Sequence, residues 1–208
     1  KKQLTPCKGA IRCNSSSWRI TKHIVTMKTR KVVVMGFRAV GKSSVTQQFT
    51  QGSCSENYHP TIEDTFRKVI EENGVSYDTA ILDTAGQDEY SPFTNRYVVG
   101  VHGYILIYAV NSRDSFEMLE IINEKILNES GCNSVPRILV GNKIDLEGQR
   151  KVTTAEGKAK AEEWGCAFVE TSAKENVNVE QAFLLLINEI KRHQSGNTND
   201  PDKRCIIL

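Results

Sequence analysis

Long apolar runs are missing from this 208-residue chain. The longest, Tyr104 to Val110 and Phe183 to Ile187, fall far short of the ~18 residues needed to span a bilayer, so no transmembrane helix is expected. Cysteine pairs are missing as well. The six cysteines (Cys7, Cys13, Cys54, Cys132, Cys166, Cys205) are scattered, without C-x-x-C spacing or a dense framework, which makes reduced thiols in a cytosolic protein the expectation and argues against structural zinc. Acidic residues are absent from positions 1 to 26, which hold six basic ones (Lys1, Lys2, Lys8, Arg12, Arg19, Lys22). Of 27 basic and 25 acidic residues in all, the remainder therefore carries 21 minus 25, or −4. Such a body lacks the clustered cations on which nucleic-acid binding depends, so protein or small-molecule partners are expected instead. What is present, 39% hydrophobic and 25% charged residues, suits one globular domain.

Residues 1–26 show neither a hydrophobic signal core nor periodicity, and Met27 reads as the start of the natural product. The extension is either non-native upstream sequence or a basic arm that touches anionic lipid, and lies outside the fold on both readings. From residue 31, β-branched runs alternate with helical stretches. Strands are expected at 31–35, 66–71, 75–82, 104–110, 137–140 and 167–170, and helices at 41–51, 112–129, 154–164 and 179–192. Asn73-Gly74 marks a hairpin between the second and third strands. The order implies an α/β fold, six strands, mostly parallel with one antiparallel edge, covered by helices on both faces, which the phosphate-loop motif at Gly36 to Ser43 makes a P-loop fold. The domain is expected over 27–193, and the polar stretch from 194 reads as a disordered linker within a flexible tail, 194–208.

Gly36-Phe-Arg-Ala-Val-Gly41-Lys42-Ser43 fits G-x-x-x-x-G-K-[ST] between a strand and a helix. In such a loop backbone N–H groups wrap phosphate oxygens, Lys42 reaches the β/γ-phosphates, and the Ser43 hydroxyl binds Mg²⁺. Gly36, Arg38, Ala39, Val40, Gly41 and Ser44 complete the candidate cradle. Further along, Asn142-Lys143-Ile-Asp145 closes a strand, where a carboxylate can accept from the N1–H and exocyclic amine of guanine. Thr171-Ser172-Ala173-Lys174 follows the next strand and offers backbone N–H to the guanine carbonyl.

Together these residues resemble the Ras superfamily of small GTPases over about residues 29–193 and the tail. The resemblance implies GTP/GDP and Mg²⁺ as ligands and a monomer as the working unit. Asp83-Thr-Ala-Gly86-Gln87 looks like the second switch: Asp83 would hold Mg²⁺ through water, Gly86 N–H would contact the γ-phosphate, and Gln87 would orient attacking water. Tyr58-His-Pro-Thr61 looks like the first switch, with Tyr58 at the nucleotide and Thr61 on Mg²⁺ while the γ-phosphate is present. Ile62, Glu63, Asp64 and Phe66 then form the effector face. Within the superfamily, Arg38, Gln87-Asp88-Glu89-Tyr90-Ser91, Gly103-Tyr-Ile-Leu-Ile-Tyr and Ser172-Ala-Lys-Glu-Asn are most similar to the Rheb subfamily. That implies a regulator of the TOR kinase complex, switched off by a tuberin-type GAP that supplies asparagine rather than arginine. Arg38 beside the γ-phosphate would obstruct a trans arginine, and hydrolysis without a GAP would be slow.

Four positions depart from the pattern or extend it. His59 stands where these proteins carry Asp, and Asp64 is Ras-like rather than Rheb-like. Cys54 replaces the phenylalanine that packs on guanine, a contact worth ~1–3 kcal/mol. Release is then expected to quicken roughly tenfold to a hundredfold unless Phe49 or a neighbour covers the base. The terminal Cys205-Ile-Ile-Leu208 matches C-a-a-X, with Leu favouring a geranylgeranyl prenyltransferase. One lipid and only Lys203 and Arg204 beside it imply reversible binding to the cytoplasmic face of membranes, with a cytosolic pool. Two alternatives stay open: a constitutively loaded GTP-binding module that does not hydrolyse, and a Ras- or Rap-like regulator with other effectors. A P-loop nucleotide kinase would need a lid and an acceptor site, for which no segment is found.

Overall fold

A computed structural model of the chain describes residues 27–53 and 61–196. Its six strands are β1 (Met27–Gly36), β2 (Glu63–Glu72), β3 (Val75–Thr84), β4 (Gly103–Ala109), β5 (Arg137–Asn142) and β6 (Ala167–Thr171). The helices are α1 (Lys42–Gln51), α2 (Arg113–Ser130), α3 (Thr154–Glu163) and α4 (Val179–Gly196). The strands form one sheet in the order β2-β3-β1-β4-β5-β6, parallel except for the β2/β3 hairpin. Asn73 and Gly74 close that hairpin with φ of 51° and 73°, the left-handed pair that a two-residue turn between twisted strands demands.

The period-2 alternation of β1 sets the layers. Val32 and Val34 face a core formed with Val45 and Phe49 of α1 and Phe183, Leu186 and Ile190 of α4. Val33 and Met35 face the opposite core, closed by Leu119, Ile122 and Ile126 of α2 and Ala161 of α3. Five parallel strands thus end on one edge, and each of the loops that leaves β1, β3, β5 and β6 there carries a predicted site motif. Among the described residues no helix is long and apolar enough to cross a membrane.

Two expectations need correction. Helix α4 continues through Gln194 to Gly196, where a linker was expected to begin, because Arg30 of β1 donates to Gln194 Oε1 at 3.1 Å and ties the last turn to the sheet. Cys166 is a free thiol as expected, but Cys132 is disulfide-bonded. Two short 3-10 helices, Asn95–Tyr97 and Ile144–Gln149, carried no sequence signal of their own.

Candidate functional site

The loop after β1 owes its path to residues that accept unusual backbone angles. Ala39 takes φ 58°, and Gly41 takes φ 96°, where a Cβ would stand 2.3 Å from Asn142 Nδ2. Only glycine fits that contact. Helix α1 begins at once with Lys42, which is 6% exposed and donates from Nζ to the Gly36 carbonyl at 3.1 Å and the Phe37 carbonyl at 2.9 Å. Burial lowers its ammonium to about 8, against the pull of Asp83. Ser43 Oγ lies 2.7 Å from Thr61 Oγ1, joining the start of α1 to the segment two residues before β2.

Asp83, near the end of β3, is 1% exposed, and neither carboxylate oxygen has a hydrogen-bond partner. Desolvation pushes it up to about 6, with Ser43 and Lys42 acting the other way and Asp64 adding to the rise. A buried carboxylate with two orphaned oxygens beside a hydroxyl pair is a poor end state for a fold and a good one for a divalent cation with oxygen ligands. Among the described residues no group of three or more His, Cys, Asp or Glu side chains is available to hold a metal. A cation here therefore needs hydroxyls and ligand oxygens to complete its shell, which suits Mg²⁺ shared with phosphates.

The second-switch residues pack against this loop. A Cβ on Gly86 would lie 2.6 Å from Arg38 Cα, so the two backbones touch. Gln87 N–H donates to the Gly36 carbonyl at 3.0 Å, but its side chain turns inward: Nε2 donates to the Ala85 carbonyl at 3.1 Å and the residue is 5% exposed. Arg38 is exposed, its guanidinium 5.2 Å from the centre of the Phe37 ring.

On the other side of the loop, three segments are bracketed by one side chain. Asn142 Nδ2 donates to the Val40 carbonyl at 2.9 Å, while its Oδ1 accepts from Thr171 Oγ1 at 3.1 Å and Ala173 N–H at 3.3 Å. Lys143, in the left-handed region at φ 71°, donates to the Ala39 carbonyl at 2.7 Å. Its pKa is lowered by burial against the opposing charge of Asp145. Ser172 Oγ donates to Asp145 Oδ1 at 2.7 Å and fixes the carboxylate at the mouth of the loop. Lys174 is exposed.

The predicted phosphate and base residues from Gly36 to Ser44, at 83–87, at 142–145 and at 171–174 thus converge on one edge. Of the predicted effector face, Ile62 (89% exposed) and Asp64 are open, Glu63 is paired with Arg96 at 2.5 Å, and Phe66 packs half-buried against the core. Tyr58, His59, Cys54 and Cys205 lie outside the described residues. Phe49 is not free to cover a base: it is 4% exposed and stacked on Phe183 with ring centroids 3.8 Å apart. Lys125 of α2, which bonds the segment after Gln87, went unnoticed because a lysine on an amphipathic helix reads as a solvated side chain.

Residues 31–192 match the Ras family. A Rheb homolog from Dictyostelium discoideum, named as a GTP-binding protein, is 47% identical over 181 residues, 87% of this chain and 98% of that protein. The GTP-binding protein rhb1 of Schizosaccharomyces pombe is 48% identical, and human GTP-binding protein Rheb 44% identical, each over the same shares of the two chains. A phosphate loop closed by Lys42, a guanine-side bracket on Asn142 and matches of this extent leave one assignment: the chain belongs to the Ras family of small GTPases, enzymes that hydrolyse GTP, and groups within it with the Rheb-named proteins.

Proposed function

We propose that this protein is a Rheb-like molecular switch that binds GTP with Mg²⁺, presents its effector face to the TOR kinase complex, and returns to the GDP state slowly unless a tuberin-type GAP assists. The observation that carries the reading is the buried, unpartnered Asp83 carboxylate facing Lys42 and the Ser43–Thr61 hydroxyl pair. Ser43, Thr61 and Asp83 are the residues to hold Mg²⁺, which when bound neutralises charge on the β- and γ-phosphate oxygens.

The chain's own residues supply the rest. Lys42 exchanges its carbonyl partners for phosphate oxygens, and the N–H groups of the loop and of Gly86 line the phosphates. The Asp145 carboxylate, oriented by Ser172, accepts from guanine, and the Ala173 region faces its carbonyl. The resemblance assigns Tyr58 to nucleotide binding as well. Gln87 must give up its bond to Ala85 before it can orient water, which supports slow intrinsic hydrolysis. Arg38, exposed beside Gly86, crowds the approach of a trans arginine and favours a GAP that offers asparagine.

Cys205 is the proposed geranylgeranyl acceptor, placing the switch on the cytoplasmic face of endomembrane, lysosomal or plasma membranes with a cytosolic pool. Single-turnover phosphate release from GTP-loaded protein, with and without a tuberin-type GAP, tests the switch. Slow release accelerated by the GAP is expected, and release that no GAP accelerates favours the permanently loaded module instead.

A further inference from the structure

The chain immediately after Gln87 is held from outside the site. Lys125, half-buried on α2, donates from Nζ to three backbone carbonyls of one short segment: Asp88 at 2.9 Å, Glu89 at 2.7 Å and Ser91 at 3.2 Å. An ammonium has three N–H donors and no acceptor, so these carbonyls use its full capacity. Bonds from a charged donor are about twice as strong as neutral ones. The segment also closes on itself. Asp88 Oδ1 accepts from Tyr90 N–H at 3.0 Å and from Ser91 Oγ at 2.8 Å, and Ser91 N–H donates to the Asp88 carbonyl at 3.3 Å.

Gln87 therefore sits between two fixed points. Its N–H is bonded to the Gly36 carbonyl, and one residue later the backbone enters the Lys125 cage. With the backbone pinned on both sides, the side chain keeps the inward position in which Nε2 meets the Ala85 carbonyl. Farther on, a second lysine anchors the chain independently: Lys31 of β1 donates to the carbonyls of Arg96 and Val99, each at 2.9 Å. Loss of the first cage thus frees 88–91 locally while 95–99 stays fastened.

We propose that Lys125 is a positioning residue that keeps Gln87 withdrawn and thereby sets the slow rate of GTP hydrolysis. The inference rests on the reading of Gln87 as the water-orienting group. Lys125 touches neither substrate nor Mg²⁺ ligands; it acts only through the backbone of 88–91.

The test uses the full chain and Lys125→Met, which keeps an unbranched stem on α2 and removes the ammonium. Single-turnover hydrolysis is compared in wild type, Lys125→Met, Gln87→Ala and the double variant, and amide hydrogen exchange of 88–91 is read on the same GDP-bound proteins. Lys125→Met should speed hydrolysis roughly threefold to tenfold, the effect of ~0.7–1.4 kcal/mol on a barrier, and the gain should vanish in the Gln87→Ala background. An unchanged rate, or a gain that survives without Gln87, overturns the proposal. A wild type that releases no phosphate at all marks failure of the switch reading instead. Exchange then decides separately: faster exchange at 88–91 in Lys125→Met supports the cage, and unchanged exchange overturns it even in a protein that hydrolyses nothing.

Discussion

The base side and the phosphate side of the site solve opposite problems with neighbouring strand ends. On the base side, the buried polar atoms of Asn142, Thr171 and Ser172 are all hydrogen-bonded, and three segments are joined before any ligand arrives. On the phosphate side, Asp83 is buried without a partner, Lys42 and Asp83 have pKa values displaced toward each other, and Gln87 points inward. The base side is a finished reading frame, in which recognition needs no rearrangement. On the proposed function, the phosphate side is finished only by its ligand, which ties binding free energy and the charge of a bound cation to the conformation that the switch reports.

The largest test of this contrast is Asn142→Ala. It strands the Val40 carbonyl, the Thr171 hydroxyl and the Ala173 N–H together, and should lower stability by about 3 kcal/mol in urea unfolding of the GDP-bound protein. A loss under ~1 kcal/mol would mean the bracket is dispensable.

Asp83→Asn should do the reverse in nucleotide-free protein with EDTA at pH 7. The carboxyl's folded pKa is raised from 3.8 to about 6, so its contribution to stability is full below pH 3.8 and lost as pH rises through 6. Removing the charge should therefore raise stability by about 2 kcal/mol, with less gain below pH 4, while Mg²⁺-dependent retention of GDP is lost. Thermal melts across pH 4–8 with paired GDP-release assays read both.

Cys54→Phe sharpens the contrast from the base side, because Phe49 is committed to the core and cannot act as the cover. GDP release should slow by roughly tenfold or more, at 1.4 kcal/mol per decade, measured with a fluorescent GDP. Equal release from both proteins would mean that another group holds the base.

The smallest effect is expected at a carboxylate with every partner Asp83 lacks. Glu156, in the capping box of α3, is held down at about 2 by the Thr153 backbone N–H, with Arg113 and the Thr153 hydroxyl adding to the effect. Its contribution is present above the ordinary glutamate value and lost as pH falls toward 2, the opposite sense to Asp83. Glu156→Gln should flatten the acid limb of the stability curve by a small amount, and an unaltered limb between pH 5 and 2 would refute the assignment.

Much of this was legible without coordinates, for identifiable reasons. β1 and β4 are short β-branched and aromatic runs between polar turns, Asn73-Gly74 names its own turn, and the loop from Gly36 to Ser43 sits where strand gives way to helix. Local patterns of this kind need only neighbours in sequence. What stayed hidden depends on distant partners. The extension of α4 follows from Arg30, 164 residues from Gln194. The inward Gln87 and the Lys125 cage follow from how the loop after β3 meets α2, and no spacing rule encodes that. The burial of Phe49 was likewise invisible: as the seventh residue after Lys42 it reads equally well as core or as a base cover, and only its stack on Phe183 decides.

That stack has a consequence for the order of events during synthesis. Among the described residues Phe49 lies on the first helix to leave the ribosome and Phe183 on the last, with the Lys68 ammonium 4.1 Å from the centre of the Phe49 ring. Until α4 emerges, α1 packs on β1, β2 and β3 alone, and the ring of Phe49 lacks its stacking partner. A nascent chain stopped short of Phe183 therefore leaves this core layer open on one side, however complete its phosphate loop, and the layer closes only as α4 docks.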